Sequence, residues 1–218
     1  LVQAILSEDL ADQTQLIQKL IGAEDPMVQQ SLTAWRGGSV YVFETNDTKV
    51  PFILDTVLDA NSNAKGIRIL DGEVLKDAEG KPLLFVTTDL TPADASSKVR
   101  KLIKVALDLF ALGNANPKVR RDAITKLGQE QNADYLPHFE ARTKIETDPE
   151  VIQSLVEAAA LTQVASDDAK VRVAAIQKLG VMRSINSVSF LKQIETDAKK
   201  TPDKFGPETI QAAHTAVL

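Results

Sequence analysis

Residues 118–128 read Lys-Val-Arg-Arg-Asp-Ala-Ile-Thr-Lys-Leu-Gly, and residues 170–180 read Lys-Val-Arg-Val-Ala-Ala-Ile-Gln-Lys-Leu-Gly. Eight of the eleven paired positions are identical, among them Arg120/Arg172, Ile124/Ile176, Leu127/Leu179 and Gly128/Gly180. A recurrence this close predicts a helical unit used twice. One helix pair cannot bury its apolar stripe alone, so copies stack side by side, which favours an extended scaffold over a catalytic pocket.

The surroundings extend the pattern. Asn116-Pro117-Lys118-Val119, Asp148-Pro149-Glu150-Val151 and Asp168-Ala169-Lys170-Val171 share a capping Asn or Asp, a first-turn position suited to proline, and a valine expected to be the first buried residue. Helices are predicted over about 117–128, 134–146, 149–164, 169–180, 186–198 and 207–217. Upstream, Val99, Leu102, Ile103, Ala106, Leu109 and Phe110 recur at helical spacing from near Ser97, and Gly113-Asn114 ends that run. At the beginning, 9–22 and 26–36 read as a helix pair: Leu16, Ile17 and Leu20 share a face, Gly22 is the stop, and Asp25-Pro26 is the restart.

Gly37-Gly38 breaks the helical period. Aromatic and β-branched runs follow at Val40–Phe43, Val50–Leu54, Ile67–Ile69 and Leu83–Val86, separated by turn signals at Asn46-Asp47, Asn61-Ser62-Asn63, Asp71-Gly72 and Glu79-Gly80-Lys81-Pro82. Residues 39 to about 92 are thus expected to form two antiparallel hairpins packed on the helices. Pro51 cannot donate to a ladder, so its strand should be an edge or begin there. The chain is divided as 1–38, a first helical repeat; 39–95, a β-rich insertion; and 96–218, the further helical repeats, all in one compact unit.

Composition narrows the class. No apolar stretch approaches the roughly 20 residues that cross a bilayer. The formal charge of −5 leaves no overall basic footprint for nucleic acid, although residues 1–95 carry 7 basic and 15 acidic side chains, a net of −8, against +3 for the remainder. Without cysteine there are no disulfides, thiolate metal sites or cysteine nucleophiles, and the compartment stays open. The chain opens at Leu1 without a methionine or signal sequence and closes at Leu218 within an apolar helical pattern. An excerpt of a longer protein is therefore expected, with room for a removed targeting segment and a further domain.

The Asp/Asn-Pro-x-Val-Arg opening, followed by Ala and a closing Leu-Gly, resembles bacterial HEAT-like repeats. The fold expected is mainly α, a HEAT-like helical-repeat solenoid with a small antiparallel β insertion. The order of parts resembles the N-terminal extracytoplasmic domain of urea ABC transporter permease subunits, of the branched-chain amino acid transporter permease type. The residues behind the resemblance are the first helix pair, the insert ending in Asp77-Ala78-Glu79-Gly80-Lys81-Pro82-Leu83, the basic opening Ser97-Lys98-Val99-Arg100-Lys101-Leu102, and Asn116-Pro117-Lys118-Val119-Arg120. The chain departs from the family at Ala95-Ser96-Ser97-Lys98, where a basic, asparagine-containing segment is usual, and in its strand region. The resemblance implies a periplasmic accessory domain of an inner-membrane transporter for urea, or for amide or branched-chain amino acid type solutes. Its implied partners are the transporter's membrane region and a periplasmic solute-binding protein.

No side-chain constellation points to catalysis, a cofactor or a metal. Arg120 and Arg172 are the repeated polar residues, and an arginine at such a position is expected to bond an acidic side chain or helix end of its neighbour; a basic recognition ridge is the other reading. Asp59-Ala60-Asn61-Ser62-Asn63 imitates the start of a calcium loop but has Ala64 where the sixth-position glycine is needed and Leu70 where a bidentate glutamate is needed. His138 and His214 lack metal-ligand spacing, and His138 reads as a surface residue. Trp35 should cover the junction with the β insert. The expected function is non-enzymatic protein contact, with a free-standing HEAT-like adaptor as the alternative to the transporter domain. An enzyme would need a convergent polar cleft.

Overall fold

The computed structural model describes residues 1–23 and 25–218. Contacts divide these into two units, Leu1–Phe110 and Ala111–Leu218, so the boundary falls inside the 96–218 block that the sequence groups together.

In the first unit, helices α1 (Val2–Leu6), α2 (Leu10–Gln18) and α3 (Pro26–Arg36) precede strands β1 (Val40–Glu44), β2 (Lys49–Leu58), β3 (Asn63–Arg68) and β4 (Leu84–Val86), and α4 (Ser97–Asp108) follows. Side-chain caps start the longer helices: Asp9 accepts from the Asp12 amide, Asp25 from Met27 and Ser96 from Val99. Each satisfies an amide that helix geometry leaves orphaned. Helix α4 packs on α2 and α3, which explains its place in this unit. Ile17, Leu32, Trp35, Val99 and Ile103 form one apolar cluster with Val40 and Ile53 of the sheet. Burying each large side chain stabilises by about 1.5–3 kcal/mol.

The strands make a single antiparallel meander in the order β1-β2-β3-β4. Strand β2 begins at Lys49 and lies between β1 and β3, so Pro51 is neither on an edge strand nor at a strand start. Pro51 pairs with Val42 of β1, and its carbonyl accepts the Ile69 amide at 3.1 Å, one residue beyond the end of β3. Backbone N and O of one strand residue point to the same side, so the missing donor falls where the β3 ladder has already ended.

The second unit contains α5 (Pro117–Gln129), α6 (Leu136–Thr143), α7 (Pro149–Val164), α8 (Ala169–Met182), α9 (Val188–Lys200), the short α10 (Pro202–Phe205) and α11 (Pro207–Val217). One-turn 3-10 segments, Ala133–Tyr135 and Ile185–Ser187, lead into α6 and α9. Helix α7 packs on α5, α6 and α8, and α11 packs on α8 and α9. The expected helix over 134–146 ends at Thr143, which places Glu146 in the connector before α7.

The valine assignment requires correction. Val119 and Val171 are 39% and 36% exposed, and the buried first-turn residues are the arginines beside them, Arg120 at 7% and Arg172 at 2%. Val151 is fully buried. The reason is that α7 belongs to a different helix class from α5 and α8. Its counterpart is α11: Pro149-Glu150 matches Pro207-Glu208 in sequence, and each helix packs on the first helix of its own pair. Helices α5 and α7 therefore make one pair, α8 and α11 the other.

The same close approach occurs between α5 and α7 and between α8 and α11. A Cβ on Gly128 would stand 2.7 Å from Ala158 Cβ and 2.8 Å from its Cα; a Cβ on Gly180 would stand 2.9 and 3.0 Å from the same atoms of Ala216. Glycine at the end of the repeated Leu-Gly lets two backbones meet where any side chain would separate them. Leu127 and Leu179, one residue earlier, are buried.

Candidate functional site

Both arginines of the repeat lie in the first turn of a helix whose N-cap is a side-chain oxygen, Asn116 for α5 and Asp168 for α8. From that turn each guanidinium reaches two connectors. Arg120 Nη1 donates to the carbonyls of Asn114 and Ala115 at 2.6 and 3.1 Å, and Arg172 Nη1 to the equivalent Ser166 and Asp167 at 2.7 and 3.5 Å. The remaining donors point to the segment leading into the second helix of the pair and, for Arg172, into its first turn, and there the two copies part.

Arg120 meets a carboxylate. Its Nε and Nη2 donate to Glu146 Oε2 and Oε1 at 2.9 and 2.8 Å, a bidentate pair almost wholly buried. Glu146 also accepts from Arg142, at 2.8 Å from Nη2, and from the amides of Thr147 and Asp148, each at 3.0 Å. Burial pushes the Glu146 carboxyl upward, but the Arg120 bonds, the Asp148 amide, Arg142 and the Thr147 amide outweigh it and bring the pKa down to about 2.

Arg172 has no carboxylate partner among the described residues. Its Nε donates to Thr209 Oγ1 at 3.2 Å and its Nη2 to the Phe205 carbonyl at 2.9 Å, while the guanidinium carbon lies 5.1 Å from the Phe205 ring centroid. Thr209 in turn donates to the Phe205 carbonyl at 2.7 Å. Its charge is thus held by carbonyl dipoles and an aromatic face. The expected acidic partner exists in the first pair and is replaced in the second.

On the surface of each pair the copies diverge again. Arg121 of α5 forms an ion pair with Glu150 of α7. The repeat puts Val173 and Glu208 at those two positions, and both line a groove of about 490 Å³ between α8 and α11, with Gln177, Val181, Ala212 and Ala216. A cleft of about 470 Å³ in the first unit is lined by Leu6, Gln13, Val42, Glu44 and Lys49 among others. Several of its polar groups have partners within the chain: Gln13 Nε2 donates to the Ala4 and Ser7 carbonyls, and Glu44 pairs with Lys49 at 3.4 Å.

The other sequence candidates are dispersed. Asp59 Oδ1 accepts the amides of Asn61 and Asn63 at 2.8 and 2.9 Å, and these bonds, led by that of Asn63, lower its pKa; the segment is an Asx-type turn. His138 is half-buried rather than fully at the surface, and burial lowers its pKa. His214 is exposed, with Nδ1 3.2 Å from Glu195 Oε1. Trp35 is buried in the cluster shared with Val40 and Ile53, and its Nε1 donates to the Asp94 carbonyl at 3.1 Å. Among the described residues no three His, Asp or Glu gather as metal ligands, and no helix is long and apolar enough to cross a membrane.

Comparison with known proteins finds no matching family model, curated protein or solved structure. Two structurally important residues escape sequence reasoning. Glu146 sits outside any periodic run, and its only sequence signal is its place two residues before the Asp148 cap. Val173 is visible only as a mismatch between the two copies of the repeat.

Proposed function

We propose that the chain is a HEAT-like helical-repeat scaffold bearing a small β insertion, and that it works by protein contact rather than by catalysis. The observation that carries this reading is the reuse of one set of positions in both helix pairs: the arginine clasp, the Leu-Gly close approach and the second-helix Pro-Glu opening. Such reuse supports a stackable unit whose faces serve as binding surface. From the order of its parts, the proposed setting is an extracytoplasmic accessory domain of an ABC transporter permease for urea or a related amide or amino acid type solute. It would act on assembly or on docking of a solute-binding protein, and would not capture the solute itself. Small solutes are held in enclosed pockets with converging polar groups, whereas the α8/α11 groove has a largely apolar lining and Gln13, Glu44 and Lys49 of the first-unit cleft are already paired.

The test deletes this chain from an otherwise intact permease and measures uptake and association with the binding protein; both should fall. Calorimetry of the chain with urea should give no saturable heat. Saturable binding would overturn the scaffold role. Unchanged uptake with lost binding of some other protein would favour the free-standing adaptor.

A further inference from the structure

The groove between α8 and α11 combines an apolar floor with an acidic rim. Val173, Ala212 and Ala216 supply the floor, and Val181, 86% exposed, also lines the groove. Glu208 lies on the rim, exposed, and no cation pairs with it among the described residues. Exposed carboxylates are common, and alone this one would mean nothing.

The internal copy supplies the second observation. In the α5/α7 pair the residue matching Val173 is Arg121, and the residue matching Glu208 is Glu150; they form an ion pair across the two helices. The chain's own aliphatic stem and guanidinium thus cover the first pair's surface at the point where the second pair is bare. A neighbouring exchange, outside the groove lining, also removes a charged pair. Lys118 pairs with Asp122 at 2.7 Å in α5, and Ala174 stands in place of that aspartate in α8. The repeat keeps its arginine and its glycine, while Val173 and Gln177 of the groove stand where α5 has Arg121 and Thr125.

We propose that the α8/α11 groove is a docking site for a segment of a partner protein that places an arginine or lysine against Glu208 and an aliphatic side chain on the Val173–Ala216 floor. The partner would supply in trans what Arg121 supplies within the first pair: a long stem over apolar surface and a cation at the glutamate. The proposal rests on the reading of the chain as a protein-binding scaffold and names the surface that does the binding.

The test is selection of short random displayed peptides on the intact chain alone, after which each enriched peptide is measured against the Val173→Arg and Glu208→Gln chains. Val173→Arg recreates the Arg121–Glu150 arrangement and should fill the groove without unfolding the helix, because Val173 is only half-buried. Enriched peptides should carry Arg or Lys within one helical turn of an aliphatic residue. They should bind the Val173→Arg chain at least about tenfold more weakly and the Glu208→Gln chain about threefold more weakly, as expected for loss of the site and of one rim ion pair. Should Val173→Arg lower the melting temperature, Glu208→Gln, an exposed change, serves as the deciding variant. Enrichment of peptides without a basic residue, equal binding to both variants, or self-association that Val173→Arg abolishes would overturn the proposal. Peptides selected on another surface would sink the groove and leave the scaffold reading standing; intact uptake and association after deletion of the chain would sink the scaffold reading instead.

Discussion

The α5/α7 and α8/α11 pairs solve one packing problem with different electrostatics. Both place a buried arginine between the same two connectors and both close a glycine onto an alanine. The first neutralises its arginine with Glu146; the second relies on a hydroxyl, carbonyls and the face of Phe205. Two helix pairs can therefore share one geometry while the partner chemistry differs, provided that every donor is still satisfied.

The largest expected effect treats the pairs alike. Leu127→Asp and Leu179→Asp each put an unpaired charge at a buried position, and each should cost about 4 kcal/mol or more. Substitution of the exposed Lys126 should change little. Thermal melting of the three variants decides the register, and unchanged melting of both leucine variants would mean that the wrong face has been assigned.

Next come the arginines, which should separate the pairs. Arg120→Ala leaves Glu146 buried with Arg142 as its one remaining cation, a loss of about 3–5 kcal/mol. Arg172→Ala strips partners from neutral groups and should cost less, about 1–3 kcal/mol. Urea denaturation that ranked the two in reverse would contradict the electrostatic distinction.

Acid sharpens the same contrast. The Glu146 pKa falls from its ordinary 4.5 to about 2 on folding, so its contribution is complete above about pH 4.5 and is lost as the pH drops through the folded value. That amounts to roughly 3 kcal/mol. Denaturation midpoints of wild type and Glu146→Gln at mildly acidic and strongly acidic pH should converge as the pH falls; parallel curves would remove the carboxylate from the explanation. The Arg172 clasp has no carboxylate to protonate.

Smallest is the glycine pair. In a helix alanine is favoured over glycine by about 1 kcal/mol, yet Gly128→Ala should destabilise by about 1–3 kcal/mol because its methyl would press on Ala158. Gly180→Ala should cost less, since its contacts with Ala216 are slightly longer and Gly180 is less buried. Stabilisation by Gly128→Ala would show that the two helices can part at no cost.

Much of this fold is legible in the sequence because it is written locally. Capping residues and apolar periods placed α7 at 149–164 and α11 at 207–217, and turn signals bracketed the four strands. What escapes is set by distant partners. Helix α1 is a single turn and a half with no side-chain cap. Pro51 misleads because its ladder position depends on where β3 ends. The burial of Arg120 rather than Val119 depends on Glu146, 26 residues away, and that of Arg172 on Thr209, 37 residues away. A motif can mark an arginine as repeated, but it does not say what the arginine holds.

The connector between α6 and α7 has a property that connectors rarely possess. Glu146 is at once the arginine's anchor and the acceptor for the Thr147 and Asp148 amides that follow it. Breaking those amide bonds requires the Glu146 carboxylate to leave its place, so their deuterium exchange should be slow relative to that of the Glu146→Ala chain. A protease should likewise cut the Glu146→Ala chain within residues 144–148 faster than the unaltered chain. A joint that looks like a hinge in the chain is, chemically, a rivet.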